Sequence, residues 1–421
     1  MTPRSRLSAL VLALATACGG AHAAPAVTPV QVNAVDARSF ADASNATGLD
    51  VYRQLAATGT DNLAISPASI STALTMTYGG ARGDTAAVMA RGLHLASSPE
   101  DATRLAGAAV QTFNDPSRTA YELAVANRLF GDRSYPFAPA FVQRTGEAFG
   151  AELEVVDFAG ASEAARTTIN HWVSDRTHER IDELLPAGSV TGDTRLVLVN
   201  AVYFHGRWAE PFDPSATFDA PFHTANGELS ARTMHRVGGR YGEDHVDGGD
   251  VQLYALPYAA SEDGHDAMSM LFVLPRNAGD LPAIEQGLDA ATVARWASAV
   301  YERRDVEVAI PRFRMELDAF SLRPALTAMG MGPIFEGGAD FSGMDAAGER
   351  RLWVSDVFHQ VFVELNEEGT EAAAATGVVM VEESAEISEP PRFTADHPFL
   401  FFLRDDTTGA ILFAGRLARP A

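Results

Sequence analysis

The side chains that usually carry catalysis are scattered in this sequence. Its 421 residues include 11 histidines and 1 cysteine. The histidines show no metal-like spacing, and no Gly-x-Ser-x-Gly, His-Glu-x-x-His or glycine-rich phosphate loop occurs. A secreted hydrolase, a metal enzyme and a phosphoryl-transfer enzyme therefore lack support, and no metal or cofactor is expected. The one cysteine, Cys18, lies near the amino terminus, so the mature chain has no disulfide and no thiol nucleophile. One segment is unusual in another way: Glu367-Glu368-Gly369-Thr370-Glu371-Ala372-Ala373-Ala374-Ala375-Thr376-Gly377. Its alanines favour a helix. The run before it, Val361 to Leu365, reads as a strand, so an extended continuation stays open.

The elements that must position this segment are mixed. Helical patterns cover Ala43 to Ala57, Ala68 to Gly79, Thr85 to Leu93, Ala164 to His178 and Leu322 to Met329. Strand patterns cover Asn62 to Ser66, Val251 to Tyr258, Met268 to Leu274, Val306 to Ile310, Trp353 to Leu365 and Phe399 to Leu403. Leu196 to Phe204 is a continuous apolar run, as expected of a strand buried on both faces. No internal repeat or linker follows residue 40. The expectation is an α+β chain, with residues 40–421 forming a single domain.

The formal net charge is −23 and all 32 basic residues are arginine. Nucleic acid and anionic membrane surfaces are thus poor partners, and no basic cluster reads as a heparin-like cofactor site. Arg4, Arg6 and the apolar run Leu7 to Ala17 form an export signal too short to span a bilayer. Two processing readings compete. Ala15-Thr16-Ala17-Cys18-Gly19 resembles a bacterial lipobox, giving a lipoprotein signal over 1–17 with Cys18 as the lipidation candidate. Ala21-His22-Ala23 fits an ordinary signal peptide over 1–23. Residues 24–39 read as a tether, and the product as secreted, periplasmic or anchored at the cell envelope. Asn45-Ala46-Thr47 matches a glycosylation pattern. Arg82-Gly83-Asp84 matches a cell-adhesion tripeptide but reads as a polar turn.

Segments along nearly the whole mature chain resemble the serpins, a family of serine protease inhibitors. They are Asn62 to Ile70; Asn200 to Trp208, running on to Pro211-Phe212; Phe358-His359 to Ala375; and His397 to Phe402 with Gly415-Arg416 and Pro420. The resemblance implies the serpin fold, about eight or nine helices around three β-sheets with an exposed reactive loop, here in an exported bacterial member. It implies a sheet-opening region made of Ser66, Pro67, Ser69, Asn200, Trp208 and His359, with His359 buried and bonded to Asn200.

It also implies that Glu367, Gly369, Thr370, Glu371 and Ala372-Ala373-Ala374-Ala375-Thr376 are the hinge of a loop that inserts into the central sheet. Such a strand shows alternate residues to one face. Thr370, Ala372, Ala374, Thr376, Val378 and Met380 share a face and are small or apolar, while Glu371 points the other way. By the family's spacing from the hinge glycine, the reactive bond is Glu383–Ser384. Glu382–Glu383, Met380–Val381 and Glu386–Ile387 stay open, because the stretch to Pro391 is long for the family. The partner is then a target protease held in a covalent complex by a monomeric inhibitor that turns nothing over. No arginine lies between Gly369 and Pro391, which disfavours a trypsin-like target. A non-inhibitory serpin acting as a binding or chaperone protein is the alternative, and an adhesive lipoprotein a third.

Overall fold

In a computed structural model the described residues are 34–114, 118, 120–150, 153–261, 267–370 and 389–420. The described helices are α1 (Ala34–Ala56), α2 (Pro67–Tyr78), α3 (Gly83–Gly92), α4 (Pro99–Phe113), α5 (Pro139–Phe149), α6 (Phe158–Arg176), α7 (Leu281–Gln286), α8 (Ala290–Ala299) and α9 (Arg323–Leu326). Their starts follow local chemistry. Ser66 and Ser98 accept the Ser69 and Asp101 amides and are each followed by a proline in the first helical position. Asp157 and Asp289 cap α6 and α8 in the same way. Helix α2 is buried along its whole length despite its serines and threonines. The hydroxyls of Thr72, Thr75 and Thr77 donate to carbonyls four residues back, so their polar atoms need no water.

Two sheets organise the chain. A nine-stranded sheet runs β1 (Leu63–Ile65), β17 (Ile411–Leu417), β16 (Phe399–Asp405), β8 (Met268–Pro275), β7 (Gly249–Pro257), β6 (Gly227–Val246), β9 (Tyr301–Pro311) and β15 (Arg392–Thr394), with β5 (Thr217–Thr224) also on β6. Strand β6 is long enough to serve two parts of this sheet. It bends at Gly238-Gly239, both at positive φ, where its register against β9 shifts.

The second sheet is divided. One part has the order β14 (Gly369–Thr370), β4 (Leu196–Arg207), β2 (Tyr121–Asp132) and β3 (Glu154–Val156). The other part is β10 (Phe313–Glu316) paired with β13 (Phe362–Leu365), and β11 (Phe320–Ser321) pairs β12 (Phe358–His359) close by. The main core lies between the sheets and helices α1, α2 and α4. A smaller core on the other face of β4 joins Val197, Val199 and Ala201 to Phe158, Ile169 and Val173 of α6.

Three sequence expectations change. Helix α1 begins at Ala34, inside the segment read as a tether. The run from Trp353 to Leu365 is strand only at 358–359 and 362–365. The Asp356 carboxylate accepts the Val357 amide and the Ser321 hydroxyl, and Val357 keeps a single bridge to Leu198. The helix expected over Leu322 to Met329 is the short α9, followed by a wide turn over Thr327–Met331 with Gly330 at φ +87°.

Candidate functional site

Strand β4 is paired along one edge throughout and, among the described residues, only near its two ends along the other. From Tyr121↔Gly206 to Gly131↔Leu196, β2 covers one edge without a break. Along the other edge, among the described residues, the ladder contacts are a parallel bridge from Leu198 to Val357 and the two residues of β14. Strand β13 likewise pairs β10 on one edge. The slot is the stretch of this edge between the Leu198–Val357 bridge and β14, where no ladder bond joins β4 to β13 among the described residues. Glu371 to Thr376, and the reactive-bond residues Glu383 and Ser384, lie outside the described residues, as does Cys18.

The entrance is built from Asn366. After β13 the chain reverses in a tight turn, with the Asn366 amide donating to the Gly369 carbonyl at 2.9 Å. The Asn366 side-chain oxygen accepts the amides of Glu368 and Gly369 at 3.0 and 3.2 Å. Gly369 then lies against β4 so closely that a Cβ there would sit 1.9 Å from the Gly206 carbonyl oxygen. No other residue fits this approach.

Trp208 holds the turn from the other side. Its amide donates to the Glu368 carbonyl at 2.8 Å, and its indole N–H to the Asn366 carbonyl at 3.0 Å. Its ring stacks on Tyr258 at 4.4 Å between centroids. The Tyr258 hydroxyl meets Thr370 Oγ1 at 2.7 Å, both residues buried, and burial holds the phenol far above its usual pKa. Thr370 thus faces the core. Glu367 is also buried and 3.5 Å from the Arg312 guanidinium.

Lower in the slot stands a second cluster. The Ser66 amide donates to His359 Nε2 at 3.1 Å, so the ring proton sits on Nδ1 and is donated to Asn200 Oδ1, also at 3.1 Å. Asn200 Nδ2 donates to Asn127 Oδ1 at 2.7 Å. This relay ties helix α2 to three strands: β12 through His359, β4 through Asn200 and β2 through Asn127. His359 is buried and neutral, its pKa pushed down to about 3 by desolvation. Ser66 and Ser69 share the α2 cap and Pro67 opens that helix.

The structure therefore groups the sequence candidates into two places. Trp208, Glu367, Gly369 and Thr370 meet at the entrance; Ser66, Pro67, Ser69, Asn200 and His359 meet below it. Sequence reading missed Asn127, Tyr258 and Asn366. Asn366 carried a signal in its spacing to Gly369, the composition of a tight turn. Asn127 is visible only once β2 and β4 are in register, which places it opposite Asn200.

Other candidates resolve differently. Arg82 precedes α3, with its guanidinium on the carbonyls of Gly79 and Ala81 and on Glu100, and Gly83-Asp84 are the first residues of the helix. Asn45 of the glycosylation pattern is buried, its side chain donating to the Gly409 carbonyl at 2.9 Å and accepting the Ile411 amide at 2.8 Å. Among the described residues no group of three or more His, Cys, Asp or Glu could hold a metal, and no helix is long and apolar enough to cross a membrane.

The family model described as "Serpin (serine protease inhibitor)" matches residues 42–420. A leukocyte elastase inhibitor of Bos taurus is 40% identical over 85% of this chain and 93% of its own length. Serpin B9 of Homo sapiens is 39% identical over 90% of this chain and 99% of its own. Among solved structures, mouse protein-Z dependent protease inhibitor has a TM-score of 0.78 at 25% identity, covering 93% of this chain and 100% of that one. Uncleaved ovalbumin has a TM-score of 0.78 at 29% identity, covering 90% and 100%.

Proposed function

This chain belongs to the serpin family, inhibitors rather than enzymes, and on that premise we propose that it traps a serine protease by inserting its cut loop into the slot beside β4. The observation that carries the reading is β14. Gly369 pairs with Arg207 and Thr370 with Gly206, antiparallel to β4. Continued in that register, each further loop residue would meet the next residue down the edge of β4 that has no ladder partner among the described residues. The target attacks the loop as a substrate and forms an acyl-enzyme. The freed strand then inserts with the protease still attached, and the deformed protease cannot complete hydrolysis. Each inserted residue gains ladder hydrogen bonds of about 1 kcal/mol.

The reactive bond we assign is Glu383–Ser384, which suits a glutamyl endopeptidase. Met380–Val381 would suit an elastase- or subtilisin-like enzyme, and relatives named as elastase inhibitors favour testing that class. The test is incubation with a glutamyl endopeptidase, an elastase, a subtilisin and a trypsin, followed by denaturing gels and mass spectrometry. A denaturant-resistant complex with a fragment beginning at Ser384 is expected. A complex with another fragment moves the bond. Cleavage without complex and without a gain in thermal stability overturns the trapping mechanism and leaves the non-inhibitory reading.

We further propose export, on the strength of Arg4, Arg6 and the run Leu7 to Ala17. Lipidation at Cys18 is tested by labelled fatty acid incorporation and its loss in Cys18→Ala.

A further inference from the structure

Strand β15 fastens the chain on the far side of the reactive loop, and it is short. Its three residues pair in parallel with Glu307, Val308 and Ala309 of β9. Phe393 is buried beside Tyr254, and Gln252 donates to the Arg392 carbonyl at 2.7 Å. Past β15 the Ala395 amide donates to the Ala309 carbonyl, and the His223 amide of β5 to the Asp396 carbonyl at 2.7 Å. His397 then closes the link to β16.

The geometry around His397 sets its charge. Nε2 lies 2.8 Å from the Pro275 carbonyl oxygen at the end of β8, and Nδ1 lies 2.8 Å from Asp396 Oδ1. A carbonyl has no proton to give and neither has a carboxylate, so making both bonds at once requires both ring nitrogens to donate, as only an imidazolium can. The His397 side chain is 14% exposed, while that of Asp396 is 40% exposed and keeps one side in water. The titratable groups around it are Asp396 on its own segment, His223 from β5, and Glu228 from β6 at 3.6 Å from His223. Arg276, next to Pro275, is engaged by Glu243.

We infer that His397 is a proton-dependent clasp on β15: protonated, it ties Asp396 to the end of β8, and deprotonated, it must give up one of those two bonds. The Asp396 carboxylate, through its hydrogen bond and charge, raises the pKa of His397 against the opposing effect of burial. Its own pKa is lowered in return, chiefly by the hydrogen bond from His397. The sign follows. The clasp is closed below the raised pKa of the ring and opens as pH rises through it. Opening would free β15 to leave β9 and would add the segment from Arg392 to Pro398 to the loop.

The test needs no protease, so it stands apart from the inhibitory reading. Hydrogen exchange of the peptide over residues 392–396 is followed in the intact protein from pH 6.5 to 9, corrected for intrinsic rates. Protection is expected to fall about tenfold over that range, the worth of one charge-assisted hydrogen bond, while β16 is unchanged. His397→Gln should show the low protection at every pH. Imidazole nitrogen shifts of the unaltered protein give a second readout, with both nitrogens protonated at pH 6.5. A neutral ring at that pH, or protection of 392–396 that does not change with pH, overturns the clasp.

Discussion

Strands β16 and β4 are built from similar residues and treated in opposite ways. Phe399–Asp405 is laddered on both edges, to β17 and to β8. Leu196–Arg207 is just as apolar, yet between the Leu198 bridge and Gly206 one of its edges has no ladder partner among the described residues. An unpaired edge is ordinarily a liability that a fold covers or blunts. Here the carboxyl-terminal hairpin supplies a finished core, and the second sheet keeps an edge of β4 without a ladder partner among the described residues. The lesson is a division of labour: one sheet holds the molecule together while the other stays ready to accept a strand.

If that division is real, damage to the finished sheet should cost global stability. Arg416 of β17 donates to both oxygens of Glu285, and to the carbonyls of Gly59 and Asp61; the Tyr52 hydroxyl donates to the same Glu285. Arg416→Ala leaves a buried carboxylate unpaired. It should lower unfolding stability by about 3–5 kcal/mol, read by denaturant titration. A loss below about 1 kcal/mol would mean the core network is not what holds this sheet.

The slot should respond to protons instead. His359 is neutral when folded and titrates near its ordinary value when unfolded, so below about pH 6.5 the unfolded chain binds the extra proton. Stability contributed by this site is full at neutral pH and falls by about 1.4 kcal/mol per unit as the pH drops below that value. Between pH 7 and 5 the loss should be about 2 kcal/mol, and His359→Asn should flatten that part of the curve.

Changes at the entrance should matter less for stability and more for partition. Thr370→Arg puts a charge at the first inserting position, opposite Tyr258. It should raise the number of inhibitor molecules consumed per trapped protease about tenfold, because slower insertion lets hydrolysis finish. Unchanged stoichiometry would break the link between β14 and trapping. The smallest effect is expected for Tyr258→Phe, which removes one buried hydrogen bond. About 1 kcal/mol should be lost in the uncut protein.

Much of this was legible before the structure. The apolar run from Leu196 to Phe204 announced a strand buried on both faces, and the helical pattern over Ala68 to Gly79 announced most of α2. The alternation of Thr370, Ala372 and Ala374 put them on one face, and the structure shows Thr370 buried against Tyr258. What could not be read was register and long-range company. Asn127 sits in an unremarkable stretch until β2 is aligned with β4. Tyr258 ends an alternating run and looks like any core aromatic. The division of the second sheet is invisible in local sequence, because a missing partner leaves no mark on the strand that lacks it.

Asn45 has a consequence for anyone making this protein. Its amide nitrogen faces the Gly409 carbonyl, and its side-chain oxygen takes the Ile411 amide. The Asn45-Ala46-Thr47 pattern is therefore a signal that the folded molecule cannot honour. In a host that attaches sugars to nascent chains, the modification would arrive before α1 packs on the β16–β17 hairpin, and the bulky, water-loving glycan could not follow the side chain inside. Chains so marked would be lost to quality control. Yield in such a host would then depend on how often the oligosaccharide machinery reaches Asn45 before folding hides it.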